Sequence, residues 1–217
     1  AIVAHDLRSP MASLQGILYM INNSDLSLKE AKDLVMSLEP TLHKNINTLD
    51  DLLAWARKQM SGISLNPLDI DTKPIIDDVI SKQLFEIDAK KLTVSNKVPD
   101  NTIAFVDLNA FKLIIRNLLS NSIKFPHPNG SIEFDCTEGN SSVTFTIKDT
   151  GIGIPANLRD LIFKDKAKTR LGTNMELGNG FGLSLCKEFA QRMNGEIYFE
   201  SEENVGTTFF LTLPKNG

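Results

Sequence analysis

The sequence predicts two domains of different class, an α-helical hairpin followed by an α/β sandwich, and three observations carry that expectation. Apolar residues recur at helical spacing from Leu7 to Met60, the periodicity changes after Ser61-Gly62, and short β-rich runs then alternate with helical stretches. Segregated helices over a mixed, largely antiparallel sheet are the layered structure such an alternation builds. The expected boundary divides residues 1–62 from residues 63–217.

In the first domain Leu7, Met11, Leu14, Leu18 and Ile21 step by four, three, four and three, one seam along a helix over residues 1–22. Asn22-Asn23-Ser24-Asp25 reads as a short connection. Ser27-Leu28-Lys29-Glu30 is a capping box, in which a serine hydroxyl and a glutamate three residues on satisfy each other's backbone N–H. Leu28, Ala31, Val35, Leu38, Leu42, Ile46, Leu49, Leu53, Ala56 and Met60 continue the second helix, with a kink expected at Pro40. Each helix leaves an apolar stripe that a two-helix hairpin cannot bury alone, so the expected solution is a four-helix bundle formed by two chains, a homodimer.

In the second domain, residues 92–98, 102–106, 131–137, 142–148, 196–201 and 207–213 read as strands, and residues 72–90, 108–124 and 181–194 as helices. A net charge of −4 and a pI near 5.4 argue against nucleic acid or an anionic membrane as the main partner. Cys136 and Cys186 are too few and too far apart for a disulfide framework or a metal site, which points to a reducing compartment. No run of eighteen apolar residues and no signal peptide is present, and the first residue is Ala. The expectation is a cytoplasmic fragment whose missing upstream part could anchor the whole protein to a membrane.

Two constellations carry chemistry. His5 lies nearly opposite the first seam and so faces water, beside Asp6, which can accept the ring's Nδ1 proton and leave Nε2 nucleophilic. Ser9, four residues on, sits over His5 where it can orient a water or a phosphate oxygen, and Pro10 bends the helix at that turn. On the middle helix of the second domain Asn117, Asn121 and Lys124 share one face, opposite Phe111, Ile114, Ile115, Leu118 and Leu119. Amide oxygens suit a Mg²⁺ that keeps its waters and shares phosphate oxygens, and the lysine offsets phosphate charge; the same pattern also describes an ordinary polar helix face.

Asp149-Thr150-Gly151-Ile152-Gly153-Ile154-Pro155 follows a strand directly. Glycines there admit a ligand close to the backbone, and the carboxylate can accept from an exocyclic amine such as adenine's, although a plain Gly-rich turn has the same composition. Gly178-Asn179-Gly180-Phe181-Gly182-Leu183 leads into a helix whose free N–H groups favour phosphate, and it is neither a Walker loop nor a dinucleotide fingerprint. The long loop from about Ala156 to Asn179 reads as a lid, with Lys164, Lys166, Lys168 and Arg170 placed to close over a polyphosphate or simply solvated.

In this order the motifs resemble the catalytic portion of a sensor histidine kinase, a dimerisation and histidine-phosphotransfer domain followed by a GHKL (Bergerat) ATP-binding domain, over essentially the whole chain. The resemblance implies that His5 is the phosphorylated residue and Asp6 the acid that assists it. It implies that Asn117 and Asn121 engage Mg²⁺, that Lys124 and Phe125 lie along ATP, and that Asp149 reads the adenine amine. Gly151, Gly153 and Ile154 belong to the first glycine box, and Gly178, Gly180, Phe181, Gly182 and Leu183 to the second. Thr207, in Gly206-Thr207-Thr208-Phe209, falls near the base, and Phe163 fits the lid phenylalanine. Three positions depart from the pattern: Ser9 stands where Thr or Asn is usual, Phe181 where Leu is usual, and Pro126 where Thr or Ser is common.

The implied activity is ATP-dependent autophosphorylation of His5, followed by transfer to an aspartate on the receiver domain of a separate response regulator. Two alternatives from other classes stay open: another ATPase of the same superfamily, and a dimeric signalling scaffold without catalysis.

Overall fold

The chain divides into two units, Ala1–Gly62 and Ile63–Gly217. The computed structural model describes residues 15–16, 18–21, 27, 29–30, 65–164 and 182–216. In the first unit Gln15, Gly16 and residues 18–21 are helical. The capping box forms as expected: Glu30 N–H donates to Ser27 Oγ at 3.3 Å, while Ser27 donates to Glu30 Oε2 from Oγ at 2.6 Å and from its N–H at 2.9 Å. These bonds, the hydroxyl's first, hold the Glu30 carboxyl below its usual range. His5, Asp6, Ser9 and Pro10, the connection at residues 22–25, Pro40 and the whole of the second apolar stripe lie outside the described residues.

In the second unit the elements run β1 (Leu68–Asp71), α1 (Lys73–Ser81), α2 (Leu84–Ala89), β2 (Thr93–Asn96), β3 (Ile103–Val106), α3 (Leu108–Lys124), β4 (Ser131–Glu138), β5 (Ser142–Asp149), α4 (Ala156–Arg159), α5 (Gly182–Arg192), β6 (Glu196–Glu202) and β7 (Gly206–Pro214). Five strands form a sheet in the order β2-β4-β5-β7-β6, in which β2 and β4 are parallel and the other pairs antiparallel. β1 and β3 make a separate antiparallel ribbon. The mixed, largely antiparallel α/β sandwich is therefore what the alternation predicted.

Side chains alternate across each strand, and the helix-facing set is apolar: Ile132, Phe134, Val143, Phe145, Ile147, Phe209, Leu211 and Leu213 are all buried. α3 lies against α1 and α5 and drives Phe111, Ile114, Ile115, Leu118 and Leu119 into this layer, with the rings of Phe111 and Phe145 5.4 Å apart. The other face is largely polar, with Thr144 and Thr212 bonded through their hydroxyls at 2.9 Å and Tyr198 stacked on Phe210.

α3 carries most of the site, and both of its ends are tied. Asp107 Oδ1 accepts from the N–H groups of Asn109 and Ala110, each at 3.0 Å, and its Oδ2 accepts from Asn66 N–H. At the other end Lys90 Nζ donates to Ile123 O at 2.9 Å, a cation against the helix's last carbonyls. Asp107→Ala removes the cap and frees Asn66, so a loss of about 1–2 kcal/mol, or roughly 4 °C in melting temperature, is expected in a thermal melt.

Four segments differ from the sequence reading, the first being the start of the expected loop, where Ala156–Arg159 forms the short helix α4. The helix expected over residues 72–90 is two helices, because Gln83 N–H turns back to Ile80 O and Ser81 Oγ donates to Asp78 O, closing the first helix early. The strand expected over residues 92–98 pairs only from Thr93 to Asn96. The reading also passed over β1, whose alternation of Leu68 and Ile70 with Asp69 and Asp71 spans only four residues.

Candidate functional site

The strand registers set a polar row across the end of the sheet. Asp149 on β5 pairs with Thr207 on β7, and Thr207 pairs with Ser201 on β6. The next row inward is Ile147, Phe209 and Phe199, and the one after it Phe145, Leu211 and Ile197. The helix-facing side of these strands thus changes from hydrocarbon to hydrogen-bonding groups where the strands end. The last turn of α3 lies over that change and contributes Ser122, itself buried.

Asp149 is the centre of the row. Its Oδ1 accepts from Gly151 N–H at 2.9 Å and from Thr207 N–H at 3.2 Å, and its Oδ2 accepts from Ser122 Oγ at 3.1 Å. Burial pushes the carboxyl above its usual range, and these three donors only partly offset the desolvation. A carboxylate has about four acceptor positions, so three donors leave one vacant, on Oδ2.

The glycine turns are pinned to this row. Ile152 N–H donates to Phe125 O at 3.0 Å and Asn204 N–H to Ile152 O at 2.8 Å, so the first turn is held from both sides. Ile154 N–H donates to Ser201 Oγ at 2.8 Å. Gly153 has φ +67°, and a Cβ there would lie 2.1 Å from Glu202 O.

On α3, Asn117, Asn121 and Lys124 share the half-buried face the spacing predicted. Asn117 Nδ2 donates to Leu113 O at 3.1 Å, and its Oδ1 faces α5 so closely that a Cβ at Gly182 would be 2.6 Å away. Gly182, followed by the half-buried Leu183, therefore brings the start of α5 against the asparagine face. The Asn121 side chain makes no hydrogen bond to another described residue, while its carbonyl accepts from Phe125 N–H at 3.3 Å, and Lys124 Nζ lies 5.3 Å from the centre of the Phe125 ring. A neutral amide oxygen such as Asn121 Oδ1 fits a hard cation that shares phosphate oxygens. Among the described residues no group of three or more His, Cys, Asp or Glu is placed to hold an ion by itself.

Of the sequence-predicted residues, the structure gathers Asp149, Gly151, Gly153, Ile154, Phe125 and Thr207 at the strand ends, and Asn117 with Gly182 at the helix contact. Gly178, Gly180, Phe181, Lys166, Lys168 and Arg170 lie outside the described residues, as do His5, Asp6 and Ser9. The sequence reading missed Ser122 and Ser201. Each is a serine at a position whose helical or strand period calls for an apolar residue, and that signal could have found them.

Phe163 packs on Phe199 with ring centres 5.8 Å apart, and Lys187 Nζ lies 5.8 Å from the Phe163 ring centre. A cavity of about 390 Å³ opens there, lined by Phe163, Lys187, Tyr198 and Phe199 among others, and no member of the Asp149 row lines it. No helix among the described residues is long and apolar enough to cross a membrane.

Residues 106–217 match the family model described as histidine kinase-, DNA gyrase B-, and HSP90-like ATPase. Sensor protein EvgS of Escherichia coli O157:H7 is 27% identical over 222 residues, covering 99% of this chain and 18% of EvgS. Sensor protein kinase WalK of Staphylococcus epidermidis is 30% identical over 224 residues, covering 99% of this chain and 36% of WalK. The chain thus spans well under half the length of these curated relatives. The catalytic domain of histidine kinase ThkA has the same fold, with a TM-score of 0.61 and 23% identity, covering 70% of this chain and 97% of that domain.

Proposed function

The chain belongs to the histidine kinase-, DNA gyrase B- and HSP90-like ATPase family, with the sequence of a sensor histidine kinase's catalytic portion, and from that premise we propose that it binds ATP with Mg²⁺ and that it autophosphorylates at His5, within one chain or between the two of a dimer. The observation that carries the proposal is the buried Asp149 carboxylate with one vacant acceptor position, set at the strand ends among glycine turns.

The adenine amine donates to that vacant position, with Thr207 beside it and Gly151, Gly153 and Ile154 along the base. Asn121 holds Mg²⁺ with phosphate oxygens, Asn117 supports it from the contact with Gly182, and Lys124 and Phe125 lie along the nucleotide. Gly178, Gly180, Phe181, Gly182 and Leu183 bring backbone N–H groups to the phosphates. When bound there, Mg²⁺ would offset the charge of the phosphates.

The chemistry falls to His5. With its Nδ1 proton held by Asp6, Nε2 attacks the γ-phosphorus in line; the N–P bond forms as the bond to the ADP oxygen breaks. Ser9 orients the incoming phosphoryl oxygens. The N–P bond is labile, so the group passes on to an aspartate of a response-regulator receiver domain. The hairpin in residues 1–62 pairs two chains, which the 46% exposure of Leu18 on the seam supports. A chain doing this acts in the cytoplasm, where ATP and the regulator are.

The test is incubation with γ-labelled ATP and Mg²⁺. The expected product carries a label that acid removes and base does not. A label that survives acid would assign phosphorylation of a hydroxyl and overturn the reading; failure to bind ATP with Mg²⁺ would leave a scaffold.

A further inference from the structure

Ser201 was not singled out by any motif, yet it has more partners in the row than any residue except Asp149. Its Oγ accepts from Ile154 N–H at 2.8 Å, donates to Gly206 O at 3.0 Å, and lies 3.0 Å from Thr207 Oγ1. A serine hydroxyl has one proton and two lone pairs. Gly206 O has no proton to offer, so the Ser201 proton goes there. One lone pair takes Ile154 N–H. The other is left for Thr207, whose own hydroxyl proton must therefore point at Ser201.

The consequence falls on Thr207. With its proton committed to Ser201, Thr207 Oγ1 can only accept; Thr207 pairs with Asp149 across the strand end and donates its N–H to Asp149 Oδ1, and the ionised carboxylate likewise only accepts. We propose that Ser201 is a positioning residue which fixes the direction of the Thr207 hydroxyl. The strand-end row then presents acceptors alone, selecting a purine with an amine at position 6 over one with a carbonyl there. The inference rests on the reading of this row as the base site and goes beyond it. Asp149 explains why an amine is welcome; Ser201 explains why a carbonyl cannot be accommodated by the turn of one hydroxyl. A buried polar group that must find its complement rejects the wrong base more strongly than shape alone can.

The probe pair is MgATP and MgITP, titrated calorimetrically into the whole 217-residue chain; inosine has a carbonyl for the amine at position 6 and carries a proton on N1. The wild type is expected to prefer ATP. Ser201→Ala releases the Thr207 hydroxyl to turn and donate to the carbonyl, so the ATP-over-ITP ratio falls by about tenfold, one hydrogen bond's worth of discrimination. Ser201→Thr keeps a hydroxyl in place and retains the ratio. Thr207→Val removes the second acceptor and narrows the ratio as well, and if Ser201→Ala does not fold, the ratio in Ser201→Thr decides the matter.

Equal weakening of both nucleotides in Ser201→Ala, with the ratio kept, would show a purely structural serine and overturn the inference. So would loss of the ratio in Ser201→Thr. A wild type that binds neither nucleotide, or both alike, would instead overturn the base-site reading and this inference with it.

Discussion

His5→Gln is expected to abolish uptake of the γ-phosphoryl group while MgATP still binds, and Asp149→Asn to weaken MgATP binding about a hundredfold and the uptake with it. Glutamine has no imidazole nitrogen to form an N–P bond, and His5 belongs to the unit Ala1–Gly62, whereas the binding residues belong to Ile63–Gly217. The Asp149 substitution is the more informative because the row can absorb it without unfolding. An asparagine can keep its oxygen toward Gly151 N–H and Thr207 N–H, the two donors that now meet Oδ1. Its NH₂ then takes the place of Oδ2 and faces Ser122 Oγ, and Ser122 can accept from it by turning its own proton to Leu118 O, 3.3 Å away. The melting temperature should therefore shift by no more than about 3 °C.

The vacant acceptor position, however, is now a donor. An adenine amine arriving there meets N–H against N–H in a buried setting, and the charge-assisted bond is gone. Losing such a bond and leaving donors unpaired costs about 3 kcal/mol, roughly a hundredfold in ATP affinity. Calorimetry with MgATP on both variants, beside the labelling assay, checks this. An Asp149→Asn chain that binds ATP like the wild type would refute the assignment of the carboxylate.

The parts of the fold visible in the sequence are those in which local pattern and tertiary packing agree. α3 is the clearest case: its apolar face, from Phe111 to Ile123, is also its buried face, and the expected span over residues 108–124 is the observed one. The paired strands β4, β5 and β7 likewise declare themselves by alternation, because only one face of the sheet is covered. β1 has the right alternation over too few residues to stand out, and the break near Lys82 follows from a hydroxyl and an i→i+3 bond that no hydrophobic period records. In the site, Asp149 was legible because a carboxylate and two glycines end a strand. Ser122 and Ser201 break the apolar period, which marks a buried hydroxyl, but their roles come only from the strand register and helix packing that bring them to Asp149 and Thr207.

Gly206→Ala is expected to damage the unit far more than its single added carbon suggests. Gly206 has φ +145°, a conformation that L side chains rarely adopt, and a Cβ there would stand 2.1 Å from Asp149 O, 3.1 Å from Asp149 C and 3.2 Å from Thr150 Cα. All three neighbours are backbone, in the strand end and turn that hold the carboxylate, so none can swing aside. Relief requires β7 to move away from β5, which lengthens the Thr207 N–H bond to Asp149 Oδ1. Strain and clash of this kind cost about 3 kcal/mol or more, a fall of roughly 10 °C in melting temperature. MgATP affinity should drop even at low temperature, where the chain is still folded. Gly16→Ala is the matched control: Gly16 is helical with nothing within 4 Å of an added Cβ, so there the same change follows helix propensity and leaves stability equal or higher. If the two variants melted alike, Gly206 could not be the point at which β7 is pressed against the Asp149 turn.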